Sequence, residues 1–218
     1  MQFPPLTKKL LWVLAAMLLL PLVLPRSLAP HLMLWPLGDD GSAMASQYGF
    51  APWQVLTHVV LDTAPMHLIF IALTVVFFGS QLEMMWGERR YGLYLLTCAA
   101  GGGVFQLLVM SIGLRYGVIP YLPSAGASAV AFGILFACAY LNPHQRVMLL
   151  IPPIPMKMWV LVAVICGMEL AFGVFASDNG LAHLGFLGGM LAGWLHIRYW
   201  RGLPPFRPRR PPGPRLVR

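Results

Sequence analysis

Six apolar stretches, separated by charged, Pro-rich or Gly-rich residues, leave this chain few ways to fold. They run approximately over Leu10–Leu24, Met66–Met85, Tyr91–Leu114, within Gly117–Leu141, over Met158–Ala176 and over Gly180–Ile197. A helix needs about 20 mostly apolar residues to cross a hydrocarbon layer of about 30 Å. Only 10% of the 218 residues are charged, and mean hydropathy is +0.72. A soluble domain carries about 25% charged residues. That deficit excludes a soluble globular chain and a disordered one. It also argues against a nucleic-acid reader, despite a net charge of +8. Cys98, Cys138 and Cys166 each sit inside an apolar run and read as small buried hydrophobes. The expected fold is an all-α membrane protein, a bundle of six transmembrane helices.

Basic residues orient such a bundle. With six spans, both termini face one side. That side holds Lys8, Lys9, Arg89, Arg90, Arg146, Lys157 and seven arginines from Arg198 to Arg218, against Arg26 and Arg115 on the other. The split of thirteen to two predicts cytoplasmic termini. The first span, preceded by Lys8 and Lys9, resembles a signal peptide. It is read as uncleaved, because Pro30 directly follows Ser27-Leu28-Ala29. Residues 1–202 form the expected membrane domain and 203–218 a Pro/Arg-rich cytoplasmic tail. Pro prevents a continuing helix in that tail, and its arginines suit anionic head groups. The long segment Pro25–Pro65 is expected in the outer interface, with Trp35 and Trp53 at head-group depth.

Polar residues inside a membrane are candidate functional groups. Ser128 follows Pro123-Ser124-Ala125-Gly126-Ala127 and precedes the apolar run Val130–Leu141. Small residues there let another helix approach closely. The first N–H groups of a helix lack intrahelical acceptors, so this position suits an oxyanion. By itself, a Ser in a small-residue seam reads more readily as packing than as a nucleophile. His183 opens the sixth span and His67 the second. Spans two, four and six all start from the outer side, which brings the three polar groups to one depth. A neutral His near a Ser is the minimal nucleophile–base pair. Glu169, in the fifth span, reads as a hydrogen-bonded structural carboxyl more readily than as a third member. His31, His58 and His144 are expected at water or head groups, and His196 at the inner interface. No cluster has metal-ligand spacing and no Gly-rich phosphate loop is present, so neither a metal nor another cofactor is expected.

These residues resemble the rhomboid family of intramembrane serine proteases. Phe78-Gly79-Ser80-Gln81-Leu82-Glu83, continuing to Gly87, Arg90 and Tyr91, matches the family's F-G-x-x-L-E-x-x-x-G-x-x-R-[FY] pattern. Pro52-Trp53-Gln54-Val55-Leu56-Thr57 looks like the approach to its second helix. Gly126-Ala127-Ser128 with Gly133 resembles the nucleophile motif. Leu141-Asn142-Pro143 and Pro152–Lys157 resemble the loop that follows, and Ala182-His183 the catalytic A-H. The resemblance implies a serine endopeptidase that cleaves transmembrane segments of other proteins, in a multi-pass protein of a bacterial inner membrane. Ser128 would be the nucleophile and His183 the base. His67 and the Ser128 N–H would hold the oxyanion, with Phe132 packed on the imidazole. The implied partners are transmembrane substrates and the lipid bilayer.

Three positions depart from the family pattern. Ile71 stands where the family has Asn, four residues after His67, and Ala129 stands where it has Gly. The family also has Gly three and seven residues after its His. Those positions after His183 hold Phe186 and Met190. Aligning on Gly189 and Gly193 instead puts Phe186 at the His position and His183 a turn further out. The rival expectation is therefore a catalytically weak or inactive relative that binds and escorts transmembrane helices.

Overall fold

The computed structural model describes residues 4–23, 27–61, 65–148, 155–175 and 184–204. The chain is mostly helical. The first long helix, α1 (Pro5–Val23), begins on a Pro, whose missing N–H costs nothing at that position. Its next two N–H groups end on a residue far along the chain. Glu83 accepts from the Leu6 N–H, the Thr7 N–H and the Thr7 hydroxyl, each at 2.7 Å. A buried carboxylate thus caps α1, and the helix extends through Lys8 and Lys9 instead of starting at the apolar run. Lys9 pairs with Glu88 at 2.6 Å beside it.

Glu83→Ala removes the shared acceptor of three donors. Hydrogen bonds to charged groups contribute about 1.5–3 kcal/mol each. We expect a loss on the order of 3 kcal/mol and faster trypsin cleavage at Lys8 and Lys9. An unchanged thermal midpoint together with unchanged cleavage would show that α1 is held by other contacts.

The second helix, α2 (Pro65–Trp86), contains a π-turn at Val75–Gly79. A π-turn inserts one residue into the helix and so re-aims the residues that follow. Here it precedes the Phe-Gly-x-x-Leu-Glu segment and leaves Glu83 facing α1. A side chain on Gly79 would collide with the Tyr91 hydroxyl, so glycine is required where the next helix crosses. Gly87 (φ +80°) ends α2 and donates to the Glu83 carbonyl at 2.8 Å. The third helix, α3 (Glu88–Arg115), has 28 residues and is about 42 Å long at 1.5 Å per residue. Helices α2 and α3 are each long and apolar enough to cross a membrane.

The fourth span falls within the expected Gly117–Leu141. Its helix, α4 (Ser128–Leu141), has 14 residues. The chain before it is non-helical because Pro120 and Pro123 resist helix and Gly117 (φ +66°) and Gly126 (φ +142°) adopt left-handed φ. A small antiparallel hairpin follows, β1 (Arg146–Met148) against β2 (Pro155–Lys157), with Val147 opposite Met156. It is a minor sheet that the all-helical expectation did not include. The fifth helix is α5 (Met158–Phe175) and the last is α6 (Gly185–Trp200). The expected start of the sixth span, Gly180 to His183, lies outside the described residues.

The middle of the bundle is α3, α4 and α6, joined by a glycine seam. Side chains added at Gly101, Gly102 and Gly188 would strike Ala192, Ala129 and Phe105 respectively. Tyr94 spans the seam and donates to the Gly133 carbonyl at 2.7 Å. The segment before α2 forms short helices at Ala29–Leu32, Ala43–Gln47 and Gln54–Thr57, then a 3-10 turn at His58–Val60. Trp53 is exposed, as expected for an interfacial ring. Trp35 is instead buried, stacked on Tyr48 and Tyr121 with its indole N–H on the Pro30 carbonyl at 2.7 Å.

Candidate active site

The loop that delivers Ser128 is tied down from two sides. Ser124 exchanges backbone hydrogen bonds with Leu34, both 2.9 Å, and the Gly126 N–H donates to the His58 carbonyl at 3.0 Å. His58 is buried, not at water as expected. Its Nδ1 lies 3.0 Å from the Gln54 carbonyl, and burial holds its pKa below the ordinary value. Gly103 of α3 makes room for this turn, since a side chain there would strike the Val55 carbonyl and the His58 ring. The outer segment therefore braces the residues just ahead of the candidate nucleophile.

Ser128 is the first residue of α4 and half-buried. Val130 and Ala131 both donate to the Ala127 carbonyl, at 3.1 and 3.2 Å. The N–H groups of Ser128 and Ala129 thus precede the first helical bonds and have no intrahelical acceptor. Such backbone donors are the groups an oxyanion accepts from. No side chain caps this end of the helix.

His67 lies in the first turn of α2, half-buried. A row of four rings leads from it to α6. His67 stacks on Phe70 at 6.4 Å, Phe70 meets Phe132 at 6.0 Å, and Phe132 meets Phe186 at 4.7 Å. Phe132 is one helical turn after Ser128, where the resemblance implies a contact with the catalytic imidazole. Among the described residues the rings against it are Phe70 and Phe186, and Phe186 is fully buried.

Helix α6 holds that register through glycine. A side chain on Gly189 would collide with the backbone carbonyl of Ala129, the residue after Ser128, and one on Gly193 would strike the Tyr94 hydroxyl. Phe186 stands three residues before Gly189 and seven before Gly193. It thus occupies the place that alignment on these glycines assigns to the base. His183 is one turn earlier in sequence and lies outside the described residues.

Ile71 is buried and lines an apolar cavity of about 240 Å³ with Met17, Leu56, Val75, Ala127 and Val130. The position where the family has an Asn amide thus meets hydrocarbon. Glu169 is half-buried on α5. His196 is half-buried, its Nδ1 2.7 Å from the Thr97 hydroxyl and its ring edge-on to Trp200. Among the described residues, no group of His, Cys, Asp and Glu is arranged to hold a metal.

Of two buried polar groups, one escaped the sequence reading and one was placed wrongly by it. Gln106 of α3 is buried, and a side chain on Gly185 would come within 3.1 Å of its Oε1. His58 is the other. The only signal for Gln106 was an amide in the middle of an otherwise apolar span.

A sequence model of the rhomboid domain matches residues 50–199. The chain is 30% identical over 142 residues to "Rhomboid protease GluP" of Bacillus subtilis, an alignment covering 65% of this chain and 25% of that protein. It is 33% identical over 134 residues to "Rhomboid protein 1, mitochondrial" of Saccharomyces cerevisiae, covering 59% and 37%. It is 26% identical over 156 residues to "Rhomboid-like protein 19" of Arabidopsis thaliana, covering 70% and 50%. The chain thus spans a quarter to a half of the length of these curated relatives. The matched domain includes the braced loop, Ser128 and the glycine-packed helices, and the chain belongs to the rhomboid family, which is membrane-embedded and includes intramembrane serine proteases.

Proposed function

We propose that this chain binds transmembrane helices of other membrane proteins on a rhomboid scaffold and that its hydrolytic activity is weak or absent. One observation carries the reading: Phe186 packs on Phe132 one turn after Ser128, in the place that alignment on Gly189 and Gly193 assigns to the base. A Ser hydroxyl is a weak nucleophile without an adjacent base, and a phenyl ring takes no proton. The apolar surroundings of Ile71 point the same way, because a missing oxyanion donor costs about 2.7–4 kcal/mol.

The second reading is a serine endopeptidase in which Ser128 attacks the scissile carbonyl and His183 acts as base. Then His67 and the Ser128 N–H would hold the oxyanion. It is favoured by the placement of Ser128 at the uncapped start of α4 and by a relative named as a protease.

On either reading we place residues 1–202 in the membrane as six spans. Residues 203–218 form a tail that shares the cytoplasmic side with the N-terminus. The thirteen-to-two split of basic residues supports this orientation, and a bacterial inner membrane is the proposed location. In that arrangement α4, about 21 Å long at 14 residues, falls short of a roughly 30 Å hydrocarbon layer. With Asn142 at the inner surface, Ser128 lies below the outer one, in a recess where a partner helix can meet it.

Labelling of detergent-solubilised protein with a fluorophosphonate probe tests the choice. We expect the parent to label no more than Ser128→Ala, while both capture a transmembrane helix in a crosslinking assay. Ala fits the small-residue seam, so the bundle should persist. Strong labelling that is lost in both Ser128→Ala and His183→Ala would overturn the first reading and establish the second.

A further inference from the structure

A second pocket lies away from Ser128, at the Arg115 end of α3. It is open, with a volume of about 510 Å³, within the roughly 300–1,000 Å³ range of ligand sites. One wall is the loop Leu37–Asp39 and the other is the last two turns of α3. The walls are joined by the Leu37 N–H, which donates to the Ser111 hydroxyl at 2.8 Å. Asp39 and Arg115 stand on opposite walls. They do not pair with each other, since Lys9–Glu88 is the only ion pair among the described residues. The floor is Leu108 and Ile112, each about half exposed.

Depth follows from helix length. Between Arg90 and Arg115 α3 carries no charge, and its roughly 42 Å exceeds a hydrocarbon layer of about 30 Å. Arg115 therefore sits among head groups, whichever side of the membrane that end faces. Ile112 and Leu108 lie one and two turns deeper, level with acyl chains. The pocket offers a cation, an anion and an apolar floor, in that geometry, at the boundary between head group and chain. An anionic lipid would meet Arg115 but leave Asp39 facing a phosphate. A choline lipid would bring a cation with no N–H to donate to the carboxylate. A primary ammonium donates three hydrogen bonds and is compact.

We propose that this pocket binds a zwitterionic aminophospholipid of the phosphatidylethanolamine class, with its phosphate on Arg115, its ammonium on Asp39 and one acyl chain over Leu108 and Ile112. Native mass spectrometry of the purified full chain tests it. The protein is titrated separately with phosphatidylethanolamine, phosphatidylcholine and phosphatidylglycerol of identical chains. The ethanolamine lipid should bind on the order of tenfold tighter than the other two, the size of one charge-assisted contact. Asp39→Asn should reduce it to the level of the choline lipid, and Arg115→Gln should weaken all three. Asp39 also accepts the Gly41 N–H at 2.7 Å, so its variant can disturb the loop. Leu108→Trp fills the floor without touching a charge and should weaken the ethanolamine lipid by a similar factor. Equal affinities for the three lipids would overturn the proposal. So would a preference for phosphatidylglycerol lost in Arg115→Gln, or a preference that survives all three substitutions. Free phosphoethanolamine binding as tightly as the lipid would replace the lipid with a soluble ligand.

Discussion

Phe186→His should raise cleavage of a transmembrane reporter by roughly 10²–10⁴-fold over the parent, the usual contribution of a positioned general base. The new imidazole would stand against Phe132, where Phe186 now packs at 4.7 Å. It is smaller than the phenyl ring, so it needs no rearrangement of α6. Gly189 and Gly193 would then follow the base at three and seven residues, the family spacing. Fluorophosphonate labelling of Ser128 should appear in parallel. Adding Ile71→Asn should raise the rate further only if the amide turns away from the apolar cavity toward the developing charge. A monodisperse Phe186→His protein with parental activity, together with loss of that activity in His183→Ala, would put the base at His183.

Gly189→Ala should destabilise the bundle by about 1–3 kcal/mol, the cost of overpacking a close contact. The new methyl group meets the backbone carbonyl of Ala129 rather than a side chain that can swing aside. Relief requires α6 to move off α4, which would loosen the Phe132–Phe186 contact as well. Gly167→Ala is the internal control. That glycine lies in α5 with nothing within 4 Å of an added side chain, so alanine should stabilise by roughly 0.5–1 kcal/mol through helix propensity. Thermal unfolding of the two variants in one detergent should therefore shift in opposite directions. A Gly189→Ala protein as stable as its parent would show that α6 does not pack in this register.

The third span was fully legible, because Glu88, Arg89, Arg90 and Arg115 bracket an uncharged run that can only be a long helix. The fourth was bounded by hydropathy only to within Gly117–Leu141, and Pro120, Pro123 and the left-handed glycines keep helix from forming before Ser128. The start of α1 was hidden because its cap is Glu83, some 76 residues away, and no local signal marks a partner that distant. The π-turn in α2 has no local signature either, and the Trp35 aromatic stack depends on Tyr48 and Tyr121 converging from separate loops. At the site, Gly126-Ala127-Ser128 announced the start of α4, but which residue of the sixth helix faces it was ambiguous. Two patterns competed there, Ala182-His183 and the glycines at Gly189 and Gly193. Packing against Ala129 and Tyr94 is decided by backbone clearance, which the glycines report and the A-H pair does not.

The carboxylate cap on α1 has a consequence in time. During synthesis, Leu6 and Thr7 emerge from the ribosome about 76 residues ahead of Glu83. At about 5–20 residues per second that interval is roughly 4–15 s. Throughout it the first helix must keep its leading N–H groups hydrated at the membrane edge, where water replaces the absent acceptor. Only when the second span has been threaded and turned does the carboxylate arrive and lock the helix down. The earlier helix is thus fastened only after the later one is made, and a second span that fails to insert leaves α1 uncapped.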